Sequence, residues 1–286
     1  MKQRIAWITD STAYVPDELR ERHDIHIVPL DVIFEDGTYE DGFGLSPEQL
    51  YEKIDRAQTV PTTSQPSVGK FLKLYESLVE TYDCAIAVHL SSRLSGTYNA
   101  SLNAAGMVDF PIEVVDSQIV SYPITALILK GIALAERGED FRAIAAALRK
   151  EAAKNENYIV IGSLSQLHKG GRLSSAQFFL GNLLQIKPIF RIRGGVVELF
   201  EKVRTESKAV KRILEQLEAA RKKHRITEVQ ILHGNVLEKA LELKESITAR
   251  YQDIHVLIGP LSSVLGVHGG RGTLALTWTN EPREQE

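Results

Sequence analysis

The chain is poor in several things, and each shortage excludes something. One of its 286 residues is cysteine. That residue, Cys84, sits in the apolar run 84-CAIAV-88, which excludes a disulfide framework and reads as a core position in a reducing compartment. An excess of one charge is missing too: 34 basic and 37 acidic residues leave a formal charge of −3. Neither nucleic acid nor an anionic membrane is therefore expected as a partner. No segment approaches the ~18 consecutive apolar residues of a membrane span, and the short apolar stretch within 1-MKQRIAWITD-10 is too brief for a signal peptide. Stable membrane insertion is not expected, and a cytoplasmic location is. Familiar catalytic signatures are also lacking: there is no GxxxxGK[ST] phosphate loop, no GxGxxG, no GxSxG elbow and no HExxH.

What is present is an alternation of strands and helices. The runs 4-RIAWIT-9, 25-IHIVPLDVIF-34, 84-CAIAVHL-90 and 112-IEVVD-116 are short, apolar and β-branched. Between them lie amphipathic helices: 46-SPEQLYEKI-54, with Ser46 as N-cap, Pro47 in the first turn and Gln49 closing a capping box, and 67-SVGKFLKLYESLVE-80, capped by Ser67. This grammar predicts an α/β domain with a parallel sheet. After the helices 122–138 and 140–155 the pattern changes. A hairpin with Gly194 and Gly195 at its turn, helices capped at Ser207 and Asn235, and strands at 158–164, 228–234, 254–259 and 272–278 predict a second α/β domain with a mixed sheet. The expected division is 1–157 and 158–286, consistent with a length beyond the ~100–200 residues of one domain.

Polar residues gather where the first-half strands end. They are Asp10 to Thr12, Ser91 to Thr97, Asp116 with Ser117, and the loop 61-PTTSQPS-67. Ligands of open parallel sheets bind outside the carboxyl ends of the strands, so these groups converge on one crevice. In 89-HLSSRLSGTYNAS-101, Ser95, Gly96 and Thr97 open a helix, where free N–H groups, hydroxyls and the positive dipole end suit an anion. The cation in that stretch, Arg93, precedes the turn, which fits a monoanion better than a nucleotide phosphate. Asp10 and Asp116 read equally as helix caps or as cleft carboxylates. His23 and His26 face opposite ways on an extended segment and make a poor metal pair. Ser95, His268 and Asp10 make a catalytic triad on paper, without a local pattern behind it. The runs 176-AQFFLGNLLQI-186 and 261-LSSVLGV-267 suit an apolar lining, and read alone the first is ordinary core.

Four blocks carry a family resemblance: 61-PTTSQPS-67, 91-SSRLSGTYNAS-101, 162-GSLSQLHKGGRLSSAQFFLGNLLQIKPIF-190 and 259-GPLSSVLGVHGGRGTLAL-276. Together with ITDST near the start and the later VVDS, they resemble the DegV family of bacterial fatty-acid-binding proteins, which includes the FakB-type subunits of fatty acid kinase. The resemblance implies a two-domain fold holding a long-chain fatty acid of the palmitate, stearate or oleate class, with no cofactor. It implies that Thr63, Ser95 and His268 hold the carboxylate, with Ser64, Gly96, Thr97 and Arg204 supporting the headgroup region. It implies a carrier without catalytic residues of its own, whose partner is the ATP-binding subunit of a fatty acid kinase. The alternative is a stand-alone hydrolase or phosphotransferase with Asp10 or Ser95 as nucleophile.

Overall fold

In the computed structural model, which describes residues 3–173 and 186–283, the first sheet is parallel throughout. It contains β1 (Ile5–Asp10), β2 (Ile25–Val28), β6 (Cys84–His89) and β7 (Ile112–Asp116) in the order β2-β1-β6-β7. Side chains alternate across the strands with period two. Trp7, Cys84, Ile86 and Val88 face α5 (Tyr122–Glu136) and α6 (Phe141–Ala152). Ala6, Ile8, Ala85 and Ala87 face α3 (Val68–Leu78) and α4 (Thr97–Ala105). Both faces are thus covered, and all six residues of β6 are buried. The short helix α1 (Asp17–His23) connects β1 to β2. Because β1 has β2 on one side and β6 on the other, the winding reverses between β1 and β6, whose carboxyl ends are Asp10 and His89.

The second sheet is mixed, in the order β10-β9-β8-β13-β11-β12. Its strands are β8 (Asn155–Val160), β9 (Lys187–Arg193), β10 (Val196–Val203), β11 (Glu228–His233), β12 (His255–Pro260) and β13 (Leu274–Thr279), and β11 with β12 is its one parallel pair. One face packs on α8 (Glu206–Arg221) and α9 (Leu237–Thr248) through Tyr158, Val160, Leu276 and Trp278. The alternate residues of the same strands, Asn157, Ile159, Ala275 and Thr277, line a cavity against the first unit. The pleat therefore builds a core on one side of this sheet and a chamber on the other.

A three-stranded antiparallel sheet stands between the two units. It contains β3 (Asp31–Phe34), β4 (Gly37–Glu40) and β5 (Thr62–Ser64). α2 (Pro47–Arg56) and α10 (Ser263–Gly269) cover it, and Val32, Leu50, Tyr51, Val264 and Val267 form their common cluster. Among the described residues the remaining helix, α7 (Leu164–Lys169), follows β8.

Several expectations are corrected. The run 25–34 is two strands in different sheets, β2 beside β1 and β3 beside β4 and β5. Pro29 separates them, since it has no N–H for a ladder. The cap of α8 is Thr205, whose Oγ1 accepts the Lys208 amide, and not Ser207. Asn235 adopts a left-handed φ of 57° and leaves α9 with Val236 at its N-cap and no side-chain cap. Residues 155–157, before the expected division, already belong to β8. By contrast, Ser46 and Gln49 form the expected capping box, and Ser67 caps α3.

Candidate functional site

The cavity between the two units has a volume of about 380 Å³. Its long walls are apolar, with Leu90, Leu94, Ile119, Ile159, Ile192 and Leu261 among the lining residues. Thr63, Ser64, Ser95, Gly96, Arg172 and His268 also line it.

Thr63 and His268 meet from opposite halves of the chain. β5 presents Thr63, paired in register with Val32, and His268 lies in the last turn of α10. Thr63 Oγ1 and His268 Nε2 are 2.9 Å apart. Burial pushes the imidazole pKa down to about 4, and the positive charge of Arg172 pushes the same way. The ring is therefore neutral at pH 7 and carries one N–H. In the Nε2–H tautomer the ring donates to Thr63 Oγ1, leaving the threonine O–H to donate to a ligand. Nδ1 has no partner. Gly170 makes room for the ring, because a Cβ there would lie 2.3 Å from Nδ1.

Ser95 is arranged in the same way. Its Oγ lies 2.9 Å from Thr97 Oγ1 and accepts the Thr97 amide at 3.3 Å. With Thr97 as donor in both bonds, the Ser95 hydroxyl proton is free for a ligand. Gly96 occupies the N-cap of α4. Thr97 is wholly buried and does not itself line the cavity. Ser64 Oγ donates to the Gln65 carbonyl. Arg204 lies just beyond β10, exposed to solvent and outside the lining.

Arg172 was not singled out from the sequence, although it stands in the KGGRL motif. Its Nε donates to the Leu94 carbonyl at 3.0 Å and its Nη1 to the Gly170 carbonyl. Burial lowers its pKa, and among the described residues it has no acidic partner. Among the described residues this partly desolvated guanidinium is bonded only to neutral oxygens, which leaves a positive charge to be matched by a ligand. A second feature missed from sequence is the tip of the β9–β10 hairpin. Ser91 Oγ donates to the Gly195 carbonyl at 2.7 Å, seating the tip beside the Ser95 turn.

Asp10 lies elsewhere. It is fully buried, its Oδ1 accepts from the amide and hydroxyl of Thr12, and its Oδ2 accepts the Leu90 amide and faces His89 Nδ1 at 3.1 Å. The paper triad of Ser95, His268 and Asp10 therefore does not form. Asp116 accepts from Ser92 and from the Gln118 amide, as a turn residue does. Arg93 is exposed and does not line the cavity. Leu261, Val264 and Leu265 supply the expected apolar lining from 261–267. Residues 176–185 of the other expected lining run lie outside the described residues. Among the described residues no group of three His, Cys, Asp or Glu forms a metal-binding cluster, and no helix is long and apolar enough to cross a membrane.

The fold and the site together define a two-domain α/β protein with an apolar cavity between its sheets, closed at one place by hydroxyls, a neutral imidazole and a guanidinium. The chain belongs to the DegV family: the family model described as "Uncharacterised protein, DegV family" matches residues 4–281. Protein DegV of Bacillus subtilis is 38% identical over 279 residues, covering 96% of this chain and 98% of that protein. The solved structure of B. subtilis DegV, described as a fatty acid binding protein, superposes with a TM-score of 0.89, covering 98% of this chain and 100% of that one. A Thermus thermophilus DegV family protein, whose structure is described by its fatty acid binding, has a TM-score of 0.90 at 31% identity, covering 97% of this chain and 99% of that one.

Proposed function

We propose that this chain binds a long-chain fatty acid of the palmitate, stearate or oleate class. The tail occupies the cavity, and Thr63, Ser95 and His268 hold the carboxylate. The observation that carries this reading is the set of donors gathered at one place. Thr63 can accept from the Nε2–H tautomer of His268, and Ser95 from Thr97, each then keeping an O–H to donate, beside Arg172, whose charge has no acidic partner among the described residues. Such an arrangement suits one carboxylate, each charge-assisted bond contributing about 1.5–3 kcal/mol. The apolar walls favour the tail by about 0.8 kcal/mol for each methylene buried. The fatty-acid-binding descriptions of the B. subtilis and T. thermophilus relatives support the same ligand.

In this reading the protein is a cytoplasmic carrier that presents the carboxylate to the ATP-binding subunit of a fatty acid kinase, which converts it to an acyl phosphate. Thr63, Ser95 and His268 are only partly buried, so the headgroup can be approached from outside. The chain has no phosphate-loop motif of its own. Ser64 and Gly96 flank the carboxylate, Thr97 holds the Ser95 hydroxyl, and the exposed Arg204 is available to the kinase.

Calorimetry on delipidated protein, with native mass spectrometry of Thr63→Ala and Ser95→Ala, tests the reading. Tight palmitate or oleate binding, no ATP binding and faster lipid exchange in both variants are expected. Micromolar ATP binding that competes with fatty acid, or unchanged lipid occupancy and exchange in both variants, overturns it.

A further inference from the structure

Among the described residues, six hydroxyl-bearing side chains line the cavity: Thr63, Ser64, Ser95, Ser121, Thr273 and Thr277. Five have partners. Thr63 is bonded to His268, Ser64 to the Gln65 carbonyl, Ser95 to Thr97, Thr273 to the Gly269 and Gly270 carbonyls, and Thr277 to the Glu156 carbonyl. Ser121 has none among the described residues, although it is fully buried. A buried hydroxyl without a partner is costly, and such groups are rare unless something else completes them.

Its backbone sharpens the point. Ser121 precedes the 15-residue helix α5, where a serine ordinarily caps the first turn with its side chain. Here φ is 67° and ψ is −148°, a region that glycine occupies freely and other residues only under strain. In this conformation the side chain makes no capping bond. The next position but one is Pro123, which has no N–H to offer. The helix is started by the backbone instead, the Ile124 amide donating to the Ser121 carbonyl at 3.0 Å. The hydroxyl is thus withheld from its usual role at a strained position on the cavity wall. Its neighbours in the chain, Ile119, Val120 and Pro123, are apolar and line the same wall. Asn157, the polar side chain that β8 adds to the lining, is taken up by both backbone groups of Ile192.

We propose that Ser121 is a second polar subsite, which hydrogen-bonds a hydroxyl carried part-way along the acyl chain, so that the protein selects a hydroxylated fatty acid over its plain counterpart. The proposal rests on the fatty-acid reading of the cavity and adds a ligand class to it. The strain at Ser121 and its unpartnered hydroxyl are then both features of a site that is completed by ligand.

The test offers delipidated protein an equimolar mixture of palmitate and its monohydroxylated positional isomers, followed by extraction and mass spectrometry. One isomer, or a few adjacent ones, is expected to be enriched about tenfold over palmitate, the equivalent of one good hydrogen bond. In Ser121→Ala, which keeps the same backbone strain, the enrichment should vanish while palmitate still binds. If palmitate binds and no isomer is enriched, or if the enrichment survives in Ser121→Ala, the subsite is refuted and an internal water is the partner of Ser121. If neither plain nor hydroxylated acids bind, the fatty-acid reading and the subsite fall together.

Discussion

Protonation of His268 should make the unliganded protein lose stability in mildly acidic solution, by an amount that the site's geometry sets. The ordinary imidazole pKa of 6.5 falls to about 4 in the folded chain, first through burial and then through the charge of Arg172. Between these values the unfolded chain takes up a proton that the folded chain refuses. Stability from this group is therefore complete above pH 6.5 and is lost as pH falls toward 4. The full difference corresponds to about 3 kcal/mol, with about 2 kcal/mol already lost at pH 5. Burial also lowers the pKa of His26 and His233 and raises that of Asp41, so the curve of the native protein alone does not isolate His268.

His268→Gln isolates it, because glutamine keeps an N–H for Thr63 and does not titrate. Urea denaturation of delipidated protein at pH 7.5 and pH 5 should show the native chain losing about 2 kcal/mol more than His268→Gln. Fatty acid should shrink that difference, since a carboxylate beside the ring favours its charged form and raises its pKa. Equal acid sensitivity in the two proteins would refute the argument that the ring is held neutral. A difference that does not respond to lipid would show that no carboxylate lies beside His268.

Two further outcomes follow from the same geometry. Arg172→Gln should weaken palmitate binding by about tenfold or more through loss of a charged hydrogen-bond donor, while leaving hexadecanol binding unchanged in calorimetry; an equal loss for acid and alcohol would mean that the guanidinium is structural. Gly195→Ala should destabilise the fold by about 1–3 kcal/mol and speed lipid exchange, because Gly195 has φ +81° and an added Cβ would lie 2.6 Å from Ser91 Oγ; unchanged exchange kinetics would show that the hairpin tip has no part in retaining the ligand.

Much of the fold was legible because the first sheet is covered on both faces and its strands are continuous apolar runs, as 84-CAIAV-88 shows. Helices with side-chain caps were legible for the same reason of local chemistry, as at Ser46 and Ser67. The small sheet was not. β4 and β5 are four and three residues long and contain no buried residue, so neither carries an alternation to read, and 62–64 passes for loop. The run through Pro29 reads as one strand because apolarity continues across the break, whereas the ladder does not. Thr205 and Ser207 are both acceptable caps by residue type, and only the backbone conformation at Thr205 selects between them.

The candidate site residues come from resemblance and not from spacing. Thr63 and His268 are 205 positions apart, and nothing in either neighbourhood points to the other. Arg172 and Ser121 escaped because their significance is a missing partner, and a sequence displays groups without displaying which of them stay unsatisfied. The same limit explains the false triad. Asp10 does meet a histidine and, through it, a serine: His89 Nδ1 faces Asp10 at 3.1 Å and His89 Nε2 lies 2.8 Å from Ser101 Oγ. That order of groups is the one a hydrolase uses. Here, however, Ser101 also bonds Tyr75, and Asp10, His89, Ser101 and Tyr75 are all fully buried, with none of them lining the cavity. A nucleophile needs room for a substrate carbon beside it, together with donors for the charge that develops. Asp10, His89 and Ser101 have neither, so their bonds satisfy buried polar groups and tie β1, β6 and α4 together. Ser95, Thr63 and His268 line the cavity and supply donors, and among the described residues no carboxylate bonds the imidazole. The first group thus has a triad's connectivity without access and the second has access without a triad, so the carboxylate proposed for the cavity meets donors at the second group alone.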